Sequence, residues 1–424
     1  MIELHPRITI PYKCSKCGTT NTPYDWVIPG MRNLAMVRCK NCAAEFYADL
    51  PAGHGLNYPV YLYPQSGEIY DPRNSQWFVR FLRESYEART SEPITFSVDT
   101  RREVKNPILL NCIDALYGHA LSKLVNAQYY IEKCPEYDLI LLIQPFLKWM
   151  VPEGTAEVWT VDLPLSKGSQ WNDWLASEIK NKVLKYPKLM LSVGFSHAHP
   201  RDFSISKFVK INPMDVSNWK TTVAKSPTVT FIWREDRLWD LKKNQNAPVK
   251  ITPKQIKTQV DNVVDLEKSI REKYPNLDFA ICGLGDCGKV PDGIKNLTAR
   301  KIDEDVERRW CERYAKSHIV IGVHGSNMLL PSSLAGTVIE LLPVDRYGNS
   351  MQDILISTDD ARIAVIRYRL IPLASTPAEV AELAYAVLHY LPLQLLNFEQ
   401  VWNDHEIAQA DPLKMSQKSL ELRS

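Results

Sequence analysis

The sequence predicts an α/β protein: two doubly wound, Rossmann-like domains preceded by a small module stapled by metal. Three observations carry this. Apolar strand-like runs alternate with helical stretches twice, between 107 and 185 and again between 228 and 342, the pattern of a mostly parallel sheet. A loop-rich stretch from 195 to 225 separates the two series. Two Cys-x-x-Cys pairs, Cys14/Cys17 and Cys39/Cys42, fall within the first fifty residues, the spacing of a four-thiolate zinc site.

Length and composition bound the answer. A chain of 424 residues exceeds one ordinary domain, and two or three are expected. With 45% hydrophobic and 24% charged residues it can bury substantial cores. The net charge of +2 supplies no broad field to attract nucleic acid. No apolar run approaches the ~20 residues needed to span a bilayer, and the start, MIELHPRITIPYKC, lacks the regions of a signal peptide. Nine cysteines, four of them in the CxxC pairs and Cys112, Cys134, Cys282, Cys287 and Cys311 scattered, fit a reducing cytoplasm, with Cys112 and Cys282 as small core residues.

In order along the chain, residues 1–52 read as a zinc ribbon, KCSKCGTT and VRCKNCAAEFYA supplying thiolates from two knuckles. Zinc there replaces a core too small to hold itself together. Lys13, Lys16, Arg38 and Lys40 around it suit a solvated face better than a nucleic-acid contact. A helix is predicted over Asn74–Arg89, with Trp77, Phe78, Phe81 and Leu82 on its apolar face. Strands follow at Pro107–Cys112, Tyr137–Gln144 and Glu157–Asp162, with helices over Ala120–Tyr130 and Ser177–Lys185. The second series has strands at Thr228–Trp233 and Phe279–Gly283, helices over Val260–Lys273 and Asp303–Lys316, and a strand at Ala364–Leu370. Gly283–Lys289 (GLGDCGK) has the GxGxxG spacing but opens no predicted helix, lacks the Ser or Thr of a P-loop, and reads as a turn. Thr376-Pro377-Ala378-Glu379 is a capping box opening a C-terminal helix, and the polar tail from about 408 is expected to fray.

The densest chemistry lies in His318–Pro343, HIVIGVHGSNMLLPSSLAGTVIELLP. A β-branched strand breaks at Gly322–Asn327, a short apolar turn follows, and Thr337–Leu342 is a second buried strand. Loops at the carboxyl ends of such strands are where phosphate-bearing ligands sit. Glu340 is costly in an apolar strand unless it bonds something, a ribose hydroxyl pair being one candidate. This stretch resembles the signature of glycosyltransferase family 61, a strand running into G-x-H-G-[AS]-x and then P-G-x-x-[IV]-E-[LI]-x-P. Gly322, His324, Gly325, Ser326, Gly336, Ile339, Glu340 and Pro343 fill those places, while Ala335 stands where Pro is usual. Gly118 and His119 resemble the family's G-H-x-x-x-E, with Lys123 in place of Glu. Arg234 and Arg237, after Trp233, stand where the first strand of the family's carboxyl-terminal domain ends in arginines.

The resemblance covers roughly 107–390. It implies the GT-B fold, two Rossmann-like domains facing across a cleft, here residues 53–225 for the acceptor and 226–375 for the nucleotide sugar. A helix in 376–424 would cross back, leaving a hinge near 215–227. It further implies transfer of a sugar from a nucleotide donor, UDP-linked above all, to a hydroxyl of a glycan, inverting and without a catalytic metal, in the setting of bacterial surface polysaccharide. Arg234 and Arg237 would hold the diphosphate, His324, Gly325, Ser326 and Asn327 would cradle phosphate or sugar, Glu340 would hold the ribose, and Asp114 and His119 would supply the base. Two other classes stay open at this point: a zinc-ribbon nucleic-acid-binding protein, and another nucleotide-dependent α/β transferase.

Overall fold

The computed structural model describes residues 1–194, 204–240, 251–352, 354–356 and 361–407, with only the backbone of 361 and 396–407. The first part of the 195–225 stretch (195–203) and the tail from 408 lie outside the described residues. The chain divides into two compact units, Met1–Ile211 with Ile302–Arg308, and Asn212–Lys301 with the chain from Arg309 on. The division falls at 211/212, before the predicted 225/226. Residues 216–225 form a 3-10 turn (Val216–Asn218) and a helix (Trp219–Lys225). Trp219 sits in the second unit's core and its indole N–H bonds the Leu388 carbonyl at 2.9 Å.

The first unit is built on a six-stranded sheet. Its strands, in spatial order, are Ile2–His5, Leu189–Leu191, Pro107–Asn111, Asp138–Ile143, Glu157–Val161 and Phe96–Thr100. The four inner strands are parallel and the two edges antiparallel. Both edges were absent from the sequence reading, and the first comes from residues ahead of the cysteine knuckles. Asp138–Ile143 is buried along its whole length, as a strand covered on both faces must be. A separate five-stranded antiparallel sheet runs from Asp25–Val27 to Glu68–Tyr70. Cys14, Cys39, Phe46 and Leu62 share one apolar cluster with Leu109 and Ile140. Cys14 and Cys39 therefore pack into the first unit's core, while Cys17 and Cys42 are exposed.

In the second unit all strand pairs are parallel, in the order Ile294–Ala299, Asp278–Leu284, Thr228–Trp233, Ile319–Val323, Thr337–Leu342, Tyr368–Pro372. Taken in chain order this is 3-2-1-4-5-6, the doubly wound arrangement. The helix predicted from Val260 begins seven residues earlier, at Pro253. A capping box explains it: Thr252 Oγ1 accepts from Gln255 N–H and Gln255 Oε1 reaches back to Thr252 N–H. The strand expected at Ala364–Leu370 is a helix, Ala361–Arg367, followed by the strand Tyr368–Pro372. Arg367 ends that helix by donating to the carbonyls of Gly336 and Ala335, both at 2.8 Å. The capping box at Thr376 is present, with Glu379 Oε2 2.7 Å from Thr376 N. The C-terminal helix it opens, Pro377–Ile407, buries Val380, Ala384, Val387, Leu388 and Leu391 in the second unit's core. Among the described residues no helix is long and apolar enough to cross a membrane.

Candidate functional site

The second unit's chain lays down Thr228–Trp233 first, adds strands on one side, then returns to add the rest on the other. The order reverses between Trp233 and Val323, which is where ligands bind in open parallel sheets. The loops leaving those two strand ends carry the residues singled out in the sequence. Arg234 and Arg237 both donate to the carbonyl of His324, Arg234 at 3.0 Å. Arg234 also donates to Asn327 Oδ1 at 2.6 Å and forks onto Asp236 at 2.8 and 2.6 Å. Arg234 is 13% exposed while Asp236 is 74% exposed, so one outward carboxylate faces two inward guanidiniums.

Gly325 makes this convergence possible. Its φ of +145° lies where L side chains are strained. A Cβ there would strike Arg234 Nη1 and lie 3.0 Å from Arg237 Nη1 and 3.1 Å from Asn327 Oδ1. Ser326 and Asn327 follow in a half-exposed 3-10 turn, and the Asn327 Nδ2 amide is buried without a hydrogen-bond partner among the described residues.

Glu340 has no exposed surface. The parallel register sets it beside Gly322, and Oε1 bonds to His324 Nδ1. Burial raises its carboxyl well above the usual range against the pull of Arg234 and Arg237, so a proton lies between the two side chains. Glu340 therefore holds the His324 ring, and the contact expected with a ribose would have to be made by a side chain already enclosed. Its second oxygen, Oε2, is also buried without a hydrogen-bond partner among the described residues.

Sequence reasoning missed the braces behind this site. Gln259, 0% exposed, donates to the Arg234 carbonyl at 3.0 Å and accepts from Trp239 N–H at 2.8 Å, fixing the arginine loop from both ends. Glu235 accepts from the Asp286 amide at 2.7 Å and so ties the Gly283–Lys289 loop to the same strand end. The signal for Gln259 was available: a polar residue on the buried face of an amphipathic helix.

The first unit has its own reversal point, between Asn111 and Leu191. Asp114 follows the first of these strands and is fully buried. Lys123 Nζ lies 2.8 Å from its Oδ2, and His119 Nδ1 lies 3.6 Å from its Oδ1. Burial opposes its charge, yet Lys123 first and then His119 hold the carboxyl below the usual range. Asp114 and His119 are thus brought together, while Lys123, where the resemblance has Glu, is the carboxylate's buried counter-ion. His54, which the sequence did not suggest, places Nε2 3.0 Å from His119 Nδ1. Trp77, predicted on an apolar face, is 38% exposed and lies edge-on to His54, ring centres 5.1 Å apart.

The two knuckles bring Cys14, Cys17, Cys39 and Cys42 together, all four sulfurs within 4.8 Å of one another. Cys14 and Cys42 are 3.7 Å apart, Cys17 and Cys39 3.4 Å. Tetrahedral zinc with Zn–S bonds of about 2.3 Å sets its sulfurs roughly 3.8 Å apart, so the donor set fits a closed metal site.

No protein-family model and no curated protein matches the chain. Among solved structures it is similar to the Escherichia coli ADP-heptose LPS heptosyltransferase II, at 10% identity over 67% of this chain and 98% of that one, with a TM-score of 0.38. It is similar also to the E. coli heptosyltransferase WaaC with ADP (11% identity, 65% and 96%, TM-score 0.32) and to S. aureus MnaA with UDP (10%, 68% and 88%, 0.31). Likenesses at this level place the chain in no family, and its function rests on its own residues.

Proposed function

We propose that the chain is a glycosyltransferase that takes a sugar from a nucleotide-sugar donor, UDP-linked above all, to a glycan hydroxyl, with inversion and without a catalytic metal. The observation that carries this reading is the convergence of Arg234 and Arg237 on the His324–Asn327 loop at the reversal point of a fully parallel sheet. Guanidiniums there suit a diphosphate, being permanently charged and bidentate. The exposed Asp236 carboxylate occupies the face of Arg234 that a phosphate would take.

In the reaction, the bond from the anomeric carbon to the diphosphate oxygen breaks and a bond to the acceptor oxygen forms. Arg234 and Arg237 take up the charge growing on the leaving diphosphate, the role a preorganised cation plays best. Ser326 and Asn327 contact phosphate or sugar, and the buried Asn327 Nδ2 supplies an uncommitted donor. Glu340 fixes the His324 ring, whose backbone carbonyl orients both arginines. The acceptor's proton passes to His119, whose imidazolium Asp114 stabilises. Cys14, Cys17, Cys39 and Cys42 hold a structural zinc, and the chain works in the cytoplasm. Calorimetric titration with UDP-, GDP-, CMP- and ADP-sugars tests the reading. One nucleotide should bind in wild type and lose at least tenfold in affinity in Arg234→Ala, and a chain that binds none of the four is not this transferase.

A further inference from the structure

The first unit's reversal point holds a cluster whose geometry asks for a bridging cation. His54 Nε2 and His119 Nδ1 face one another at 3.0 Å. Asp114 Oδ1 stands 3.6 Å from the same His119 nitrogen, and the three ligand atoms lie within 4.8 Å of one another. Two imidazole lone pairs cannot face each other at that distance unless something positive sits between them, either a proton or a metal ion. Ligand atoms about 2.0–2.2 Å from a shared ion stand roughly 3–3.5 Å apart, close to the two spacings that His119 makes with His54 and Asp114.

The surroundings are those of a built site. Lys123 holds Asp114 by Oδ2, leaving Oδ1 turned toward the imidazoles. Oδ1 accepts one backbone bond, from Leu116 N–H at 3.1 Å, and a carboxylate oxygen has a second lone pair to offer. Such outer partners are what orient a ligating carboxylate. His54 rides on the 3-10 turn Gly53–Leu56, anchored by Gly53 N–H to the Val193 carbonyl at 2.6 Å. Trp77 and Phe78 pack edge-on to its ring, centres 5.1 and 5.5 Å away. The His119 side chain is 19% exposed. Two imidazoles and one carboxylate form a donor set for nitrogen-preferring divalent ions. Asp114 with Lys123, and the neighbouring pair Asp49 with Arg32, are internally neutral, so an ion enters no strong field of either sign.

We propose that His54, Asp114 and His119 bind a divalent transition-metal ion such as zinc, at a site separate from the four thiolates. The proposal does not depend on the transferase reading, although an ion held here would occupy the groups that reading uses as the base. Tag-free protein loaded with zinc, or with cobalt as a spectroscopic probe, then freed of excess metal, tests it. Two equivalents per chain are expected. One should show the strong sulfur-to-cobalt charge-transfer absorption of thiolate ligation and the other should lack it. The second equivalent should bind at least tenfold more weakly in His54→Gln and in His119→Gln, with the thiolate spectrum unchanged. If one variant fails to fold, the other decides, and the wild-type stoichiometry decides independently of both. A single equivalent in wild type, carried by the thiolates, would mean that a proton bridges the imidazoles and would overturn the proposal. So would a second equivalent that both substitutions leave intact.

Discussion

Gly325→Ala is the most exacting test of the anion site, because two separable costs meet at one atom. The backbone cost comes from φ of +145°, a region that charges a side chain about 1–3 kcal/mol. The steric cost falls on function: the new methyl would strike Arg234 Nη1 and lie 3.0 Å from Arg237 Nη1. Both guanidiniums must then leave the His324 carbonyl. Their arms are flexible, so the clash is relieved by moving them, and what is lost is the arrangement that receives a diphosphate. A tenfold or greater fall in nucleotide affinity is expected, about 1.4 kcal/mol or more. Gly288→Ala is the control, since Gly288 has φ of +71° but nothing within 4 Å of an added Cβ. It should lose stability of the same order and keep its affinity. Urea unfolding and calorimetric nucleotide titration read the two costs separately. A Gly325→Ala protein that loses stability yet binds nucleotide within twofold of wild type would refute the assignment of this loop to the ligand.

Arg234→Ala should weaken nucleotide binding by about 1.5–3 kcal/mol, the range for charge-assisted hydrogen bonds, measured by the same titration. Lys123→Met should destabilise the chain by about 3–5 kcal/mol, because it strands the buried Asp114 carboxylate; urea unfolding with an unchanged midpoint would show that the pair is not a buried ion pair. His318 accepts from Thr228 N–H at 3.0 Å through Nδ1, and burial lowers its pKa to about 4. The unfolded chain therefore binds the extra proton first, so this stability is whole above about pH 6.5 and is lost as pH falls toward 4, by up to about 3 kcal/mol. In His318→Gln that slope should flatten. Cys39→Ser should release the thiolate-bound zinc, read by metal analysis, while transfer in wild type should survive brief EDTA; an absolute need for added magnesium or manganese would count against the mechanism.

Much of the fold was legible because breakers bound its apolar runs. Thr228–Trp233 and Thr337–Leu342 fall where the sequence places them. The strands that escaped notice are those with no such signal. Ile294–Ala299 is half polar and buries only Ile294 fully, an edge strand recognisable only by its partner. Leu189–Leu191 has three residues, and Ile2–His5 pairs with it from nearly the whole unit away in sequence. In Ala361–Arg367 the spacing of Ala, Ile, Ala, Val and Ile serves either period, and Arg367's bonds to two carbonyls favour the helix. The site follows the same logic. Arg234, Arg237 and the His324–Asn327 loop could be found because each directly follows a legible strand. The partnership of Glu340 with His324 needed the register of two strands, and His54 needed a turn 65 residues from His119 to return to it.

The two reversal points differ in charge, and that difference argues for different ligands. At the second unit's, two guanidiniums face one exposed carboxylate, and Glu340 shares its proton with His324. The guanidiniums are drawn inward onto the His324 carbonyl beneath that carboxylate, an arrangement that suits an anion able to take the carboxylate's place. At the first unit's, Lys123 matches Asp114 and Arg32 matches Asp49 at 2.7 Å, each pair buried. Among the described residues these charges are matched, and beside them stands the His54–His119 pair. Such a cluster can take a proton from a neutral hydroxyl or hold a metal ion, but it has nothing with which to grip a diphosphate. Exchanging Lys123 for the glutamate of the resembling motif would add a second buried carboxylate beside Asp114 and destroy that neutrality. The lysine therefore belongs to a differently balanced site, in which the imidazoles and the aspartate must do without that glutamate.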